Sequence, residues 1–186
     1  MARQVVQSFE VVKEMLRDRK TDTSALDAYS QEELIALCKH SAIFHLPVSE
    51  EMDIVYYMHS KFRLNDIRKF VLQNPKRKMV IFKERINNLN VRNLRETGVP
   101  LEIFMLKELM YNVSKNDLVP KHEVISDQES IAEVMRMYDI KQKTQLPVIL
   151  RTDPMARYLD IKPGELVRIT RVSASAGESL AYRVCA

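Results

Sequence analysis

Glycine is scarce in this sequence, with only three among 186 residues. Gly98, Gly164 and Gly177 lie too far apart to form the glycine-rich loops that bind dinucleotides or nucleoside triphosphates. Cysteine is rarer still, and Cys38 and Cys185 do not provide the disulfide framework of a small secreted domain. These absences exclude the common nucleotide-binding motifs and favour a reducing compartment.

Long apolar stretches are also missing. No run approaches the ~18 apolar residues of a membrane-spanning helix, and the N-terminal segment lacks the apolar core of a signal peptide. That segment instead has apolar residues at helical spacing, at Val5, Phe9, Val12 and Leu16. We therefore expect an intracellular protein with no membrane partner.

Sequence motifs of catalysis and metal binding are absent as well. The chain has neither H-E-x-x-H nor a pair of C-x-x-C motifs. Cys38 and His40 lie close together, but structural zinc usually has four ligands, so a buried cysteine with surface histidines is the favoured interpretation. His122 has no serine or cysteine partner at a recognisable spacing. We predict no catalytic residue, no metal and no cofactor.

Positive charge is concentrated in one segment. Residues 61–95 carry eleven lysines and arginines against two acidic residues, Asp66 and Glu84. A localised basic surface is typical of proteins that bind a polyanion, although a solvated helix face has the same composition.

Apolar spacing in the first half predicts helices and strands in alternation. After the first helix and a short second helix near 30–39, two β-rich runs separated by Pro47 predict a hairpin over 41–58. A helix, a buried strand over 78–83, a helix that ends near Gly98 and a further strand follow. This order is typical of an α/β sheet with helices packed against it.

The pattern changes after about residue 111. We predict an N-terminal α/β domain over 1–110, with a nuclease-like sheet and flanking helices, and a small C-terminal α+β domain over 111–186. The second domain begins with an extended piece that contains a proline, and a helix is expected over 127–138.

The segment TDPMARYLDIKPGELVRITR carries strong local signals. Asp153 is the expected N-cap of a short helix that begins at Pro154. Pro163 and Gly164 are the expected central residues of a type II turn, whose second position requires a positive φ. The runs LVRITRV and LAYRV are predicted strands, joined by the small-residue loop SASAGES.

Four sequence blocks in the second half, LVPKH, LPVILRTDPMARY, KPGELVRITRVSASAG and YR, carry a family pattern in order. The matching positions are Leu118, Val119, Pro120, His122, Leu146, Pro147, Ile149, Asp153, Pro154, Ala156, Tyr158, Lys162, Gly164, Val167, Ile169, Arg171, Ser173, Gly177, Tyr182 and Arg183. Over about 70 residues the chain closely resembles the assembly domain of the fifth shared subunit of eukaryotic nuclear RNA polymerases. The archaeal counterpart of that family consists essentially of this domain alone.

The first half is similar to the same family in outline. EVVKEMLRDRK looks like its opening helix, and MVIFKE with RINNLN stands where the family has its jaw-domain strand and a loop tip near downstream duplex DNA. The resemblance therefore implies the eukaryotic form, in which a jaw domain precedes the assembly domain.

The resemblance implies a non-catalytic polymerase subunit. Its C-terminal domain would dock on the largest subunit, its jaw would flank downstream duplex DNA, and the Mg²⁺ chemistry would reside in other chains. The residues expected to contact DNA are Lys83, Arg85, Asn87 and Asn88. The residues expected at the subunit interface are Pro147, Asp153, Arg157, Tyr158, Arg171, Ser173, Tyr182 and Arg183.

Some positions depart from the family pattern. Ala174 and Ser175 replace the usual Glu and Thr, Val148 replaces a basic residue, and Asp160 replaces a glycine. Such departures are typical of a diverged lineage, such as a large DNA virus that encodes its own polymerase. We expect a nuclear protein if the chain is cellular, and a protein of the host cytoplasm or the virion if it is viral.

Two alternatives stay open at the level of sequence. One is a stand-alone DNA-binding accessory factor with the same fold. The other is a metal-dependent nuclease that uses Asp53 with Lys83 and Glu84, although adjacent strand residues such as these two point to opposite faces of a sheet.

Overall fold

The chain folds into two compact units. The computed structural model describes residues 2–73, 76–173 and 177–186, with the backbone alone at Ser173. The first unit extends to Tyr111 and the second spans Asn112–Ala186. The division falls one residue after the boundary expected from the sequence.

The first unit is built on a mixed four-stranded sheet with the order β1-β2-β3-β4. β1 and β2 are antiparallel, whereas β3 runs parallel to both β2 and β4. Its elements in chain order are α1 (Ala2–Asp18), α2 (Ser24–Asp27), α3 (Gln31–His40), β1 (Ile43–Pro47), β2 (Met52–Tyr57), α4 (Leu64–Gln73), β3 (Arg77–Phe82), α5 (Asn88–Arg95) and β4 (Leu101–Met105). The predicted hairpin and the helix-separated strands are confirmed.

Helices cover both faces of this sheet. On one face, Val55 and Tyr57 of β2 share a buried cluster with Ile67 of α4 and Leu94 of α5. Tyr56, between those two strand residues, points to the other face because successive strand side chains alternate. Its hydroxyl lies 3.2 Å from Ser8 Oγ of α1, and burial raises the pKa of this tyrosine. The result is an α/β unit, as predicted.

The second unit contains a smaller four-stranded sheet with the order β5-β7-β8-β6. β7 is antiparallel to β5 and β8, and β6 runs parallel to β8. Its elements are β5 (Lys121–Ile125), α6 (Gln128–Met137), β6 (Val148–Ile149), α7 (Pro154–Tyr158), β7 (Leu166–Ser173) and β8 (Gly177–Cys185). The α+β class predicted for this half is confirmed.

The two faces of the second sheet have separate cores. On the α6 face, Ile131 and Val134 pack with Leu166 of β7. On the α7 face, Ala156 packs with Val167 of β7 and with other apolar side chains. β7 and β8 therefore send alternate residues into different clusters.

Local signals near the C-terminus are confirmed. Asp153 accepts hydrogen bonds from the backbone amides of Met155 (2.8 Å) and Ala156 (3.3 Å), and Pro154 is the first helical residue of α7. Gly164 has a φ of +83°, and the amide of the next residue bonds back across the turn over 3.1 Å.

Two predictions about strand ends were wrong. The loop expected over 173–179 is shorter, because the backbone ladder of β7 and β8 continues to the pair Ser173 and Gly177. Ala174, Ser175 and Ala176, which contain two of the family departures, lie outside the described residues. Lys83 and Glu84 do not lie on a strand, since β3 ends at Phe82.

Candidate functional site

The second unit has a cleft of about 380 Å³ on the α7 face of its sheet. Its walls are mostly apolar and include Leu118, Pro120, Ile149 and Met155, while Ile169 of β7 also lines it. Leu118 is 90% exposed and adds to the apolar surface of the cleft. An exposed apolar cleft of this kind is typical of binding surfaces.

Two side-chain-to-backbone contacts fix the position of the cleft walls. The cap at Asp153 fixes the start of α7, whose first residues form one wall. His122 Nδ1 donates to the carbonyl oxygen of Pro120 over 2.7 Å, which ties the imidazole to the segment before β5. Each of these contacts joins residues that are two or three positions apart in the sequence, so each wall is shaped by its own local segment.

Two arginines bring positive charge to this apolar cleft. Arg171 of β7 is exposed, and Arg183 of β8 donates from Nη1 to the carbonyl oxygen of Val148 over 2.9 Å. Across the described ranges, no carboxylate forms an ion pair with either guanidinium. Most of their N–H donors are therefore available to a ligand.

The structure brings together three of the residues expected at the interface, namely Asp153, Arg171 and Arg183. Pro147 and Arg157 are outside the lining, although Pro147 is exposed. The side chain of Ser173 is outside the described part of the chain.

Two further predicted interface residues lie elsewhere. Tyr158 is 4% exposed, and its hydroxyl accepts from Asn112 Nδ2 over 3.0 Å, so it packs inside the unit. Tyr182 points to the α6 face, where its ring meets Tyr138 edge-on at 5.7 Å. It therefore does not share the cleft with Arg171.

Sequence reasoning did not predict the apolar part of the cleft. Leu118, Val119 and Pro120 matched the family pattern but were not assigned to the interface, because apolar residues are usually assigned to the core. A useful signal was present: these three residues precede a strand and have neither helical nor alternating spacing.

The first unit carries the basic surface. Arg85 and Asn88 are exposed, and Asn87 Oδ1 accepts from the amide of Leu89 over 3.3 Å as the N-cap of α5. Lys83 is half-buried beyond the end of β3. The predicted DNA-contact residues therefore follow one another from the end of a strand to the start of a helix.

Not all of the basic segment faces solvent. Lys78 is 2% exposed and lies 3.6 Å from the carboxylate of Asp53, and Arg77 forms an ion pair with Glu102. The exposed cations are Lys61, Arg63, Arg68, Lys69, Arg85, Arg92 and Arg95. A net positive surface remains after the internal pairs are removed.

The geometry disfavours the nuclease alternative. Asp53 is 4% exposed and is paired with Lys78, so it cannot take part in an open metal site. Lys83 and Glu84 lie past the strand on which they were expected. Within the described residues, histidine, cysteine and carboxylate side chains do not gather in threes that could ligate a metal. In the same part of the chain, no helix has both the length and the apolar character of a membrane span.

Comparison with known proteins points to one family. Residues 111–185 match the family described as RNA polymerase Rpb5, C-terminal domain. A relative from Dictyostelium discoideum, named as a subunit of DNA-directed RNA polymerases I, II, and III, is 27% identical and aligns with 97% of this chain and 96% of its own length. Relatives with the same description from Caenorhabditis briggsae and Caenorhabditis elegans are 42% identical over 84 residues, which is 45% of this chain and 39% of theirs.

The match and the fold agree in position. The family match covers the unit that contains the cleft, and the Dictyostelium alignment extends through the α/β unit as well. The family match therefore spans nearly the whole C-terminal unit, and the chain is similar over almost its full length to a protein named as a subunit of RNA polymerases I, II, and III.

Proposed function

We propose that the chain is a non-catalytic subunit of a multisubunit DNA-directed RNA polymerase and that its C-terminal unit docks on the largest subunit. The observation that carries the proposal is the apolar cleft with two arginines that have no carboxylate partner in the described residues, set within the domain that matches the family. Arginine is enriched in protein interfaces, where it supplies planar multi-donor contacts, and the buried centre of an interface is more apolar than the rest of the surface.

The first unit flanks downstream duplex DNA in this proposal. Lys83, Arg85, Asn87 and Asn88 contact the phosphate backbone, supported by the exposed cations of α4 and α5. Contacts to phosphates position a protein on DNA and make its affinity depend on salt, but they do not read sequence.

Catalysis in this proposal belongs to other chains of the complex. A cellular form of the protein works in the nucleus with its polymerase. A virus-encoded form works in the host cytoplasm or the virion, and the departures from the family pattern are the reason to consider it.

Affinity purification of the tagged full chain from its native source tests the proposal. We expect stoichiometric recovery of the two large polymerase subunits after a high-salt wash, because an apolar interface resists screening. Recovery of the chain alone, or with unrelated proteins, would contradict the proposal. Tight DNA binding by the isolated chain would instead support a stand-alone accessory factor, since a few exposed phosphate contacts give little affinity at physiological salt.

A further inference from the structure

Basic and apolar side chains alternate along the floor of the cleft. The strand register sets Arg183 opposite Val167, and Arg171 opposite Ser179. Ile169 lies between these two levels on the same face. It lines the cleft with both arginines, although only 2% of it is exposed. Along the strand direction, the floor therefore has a basic side chain, an apolar side chain and a second basic side chain.

The geometry of the sheet sets the spacing of the backbone levels from which these three side chains extend. The levels of Arg183 and Arg171 are separated by four residues of β7, or about 13 Å at ~3.3 Å per residue. One carboxylate cannot pair closely with both guanidinium groups at their strand levels. An extended peptide that runs along the strands covers the same distance between its residues i and i+4.

An α-helix rises about 1.5 Å per residue, so its residues i and i+4 lie only about 6 Å apart along the axis and cannot stand over both arginine levels. The cleft, with a volume of about 380 Å³, suits a few residues of extended chain. The apolar walls at Leu118 and Ile149 also favour a peptide over a nucleic-acid backbone, which has no apolar group to place there.

From this geometry we infer that the cleft binds an extended peptide segment of the pattern acidic–x–apolar–x–acidic. The two carboxylates pair with Arg171 and Arg183, and the apolar side chain lies over Ile169 between them. This inference rests on the proposed function, since it describes the segment of the polymerase that the C-terminal unit recognises. Arginine suits the role because its fork of donors matches a carboxylate.

A titration of the isotope-labelled full chain, followed by NMR, tests the pattern directly. The probe is a capped synthetic heptapeptide with aspartate second, leucine fourth, glutamate sixth, and glycine or serine elsewhere. We expect shifts at Ile169, Arg171 and Arg183. We also expect about tenfold weaker binding when the acids become asparagine and glutamine, a change of about 1.4 kcal/mol, because two solvent-accessible ion pairs are replaced by neutral hydrogen bonds.

Two controls make the test specific. A peptide of the same composition with its acids adjacent should bind about as weakly as the amide peptide, because it cannot reach both arginines. Arg171→Gln should lower the affinity for the original peptide, whereas Arg168→Gln should not. Arg168 lies on the same strand but on the opposite face, where it pairs with Glu123. Equal binding of all three peptides, or shifts outside the cleft, would overturn the inference.

Capture of the polymerase separates this inference from the proposed function. If the wild-type chain recovers the large subunits and Arg171→Gln recovers them equally well under a stringent wash, the docking role stands and the charge pattern is wrong. If the wild type recovers no polymerase but the peptide binds the cleft as expected, the pattern stands and the proposed function is wrong.

Discussion

Arg168 and Arg171 lie on opposite faces of β7 and have different surroundings. Arg168 Nη2 lies 2.6 Å from Glu123 Oε2, and hydrogen bonds from Lys121 and Arg168 hold the pKa of Glu123 below its usual range. A carboxyl with a lowered pKa stabilises the fold at neutral pH, and this contribution is lost as the pH falls through its folded-state pKa. Arg171, on the other face, has no such partner in the described part of the chain. Its charge is available for recognition.

Gly164 is a residue whose role is purely conformational. Its φ is +83°, and a Cβ there would meet nothing within 4 Å, so a larger side chain is opposed by the backbone alone. Its amide also donates to the carbonyl oxygen of Cys185 over 2.9 Å, which ties the turn to the end of β8. The turn therefore depends on the left-handed conformation.

We expect Gly164→Val to destabilise the second unit by at least about 1–2 kcal/mol, the cost of the left-handed region for an ordinary residue, with β-branching adding to it. Urea unfolding followed by far-ultraviolet circular dichroism measures the change. Gly164→Asn is the matched control, because asparagine tolerates a positive φ and should cost less. Equal stabilities of the valine variant and the wild type would show that the turn is not required.

At the scale of elements, one carboxylate joins three parts of the first unit. Glu102 of β4 lies 2.8 Å from Arg19, just after α1, and also pairs with Arg77 of β3. The Arg19 side chain is 6% exposed and that of Glu102 is 14% exposed, so the pair is only weakly screened by water. The contact fixes the end of α1 against the edge of the sheet.

We expect Glu102→Gln to lower the free energy of unfolding of the first unit by about 2–3 kcal/mol, since two guanidinium groups lose a shared, largely buried carboxylate. The control is Glu178→Gln, an exposed carboxylate of β8 that should change stability by less than about 0.5 kcal/mol. Urea midpoints of both variants measure the effect. A midpoint for Glu102→Gln that matches the control would mean that solvent screens the pair.

The elements that the sequence predicts well are those with local causes. The cap at Asp153, the turn at Gly164 and the apolar strand of β3 each depend on neighbours in the chain, and each is present. The extent of the β7–β8 hairpin was underestimated because a backbone ladder continues through small polar residues without an apolar signal. The burial of Tyr158 was not predicted because it depends on a contact with Asn112, far away in sequence.

The candidate site was harder to predict because it is assembled from distant segments. The arginines of the cleft could be selected by residue type, but the apolar walls come from the segment before β5 and from the start of α7. Only the register of β7 against β8 sets the spacing between Arg171 and Arg183. The distance between these two arginines therefore cannot be predicted from composition or from spacing along the chain.

At the scale of the whole molecule, the two units carry different kinds of surface. The exposed cations of the segment 61–95 all belong to the first unit, whereas the apolar cleft belongs to the second. Electrostatic contacts to phosphates weaken as salt rises, while burial of apolar area does not. The proposed function therefore makes DNA contact sensitive to salt and subunit docking resistant to it.

Charge reversal at Arg85 tests whether DNA contact depends on salt while subunit docking does not. We expect polymerase that contains Arg85→Glu to assemble normally but to lose its transcribing complexes at lower salt than the wild type. The logarithm of complex stability should fall less steeply with the logarithm of salt, by about one unit of slope for one lost phosphate contact. Complex lifetimes over a potassium chloride series measure the slope.

Arg136→Glu, an exposed arginine of α6 in the other unit, is the control for net charge and should leave the slope unchanged. If both variants behave alike, Arg85 does not contact DNA, and the basic surface acts through the overall field of the first unit.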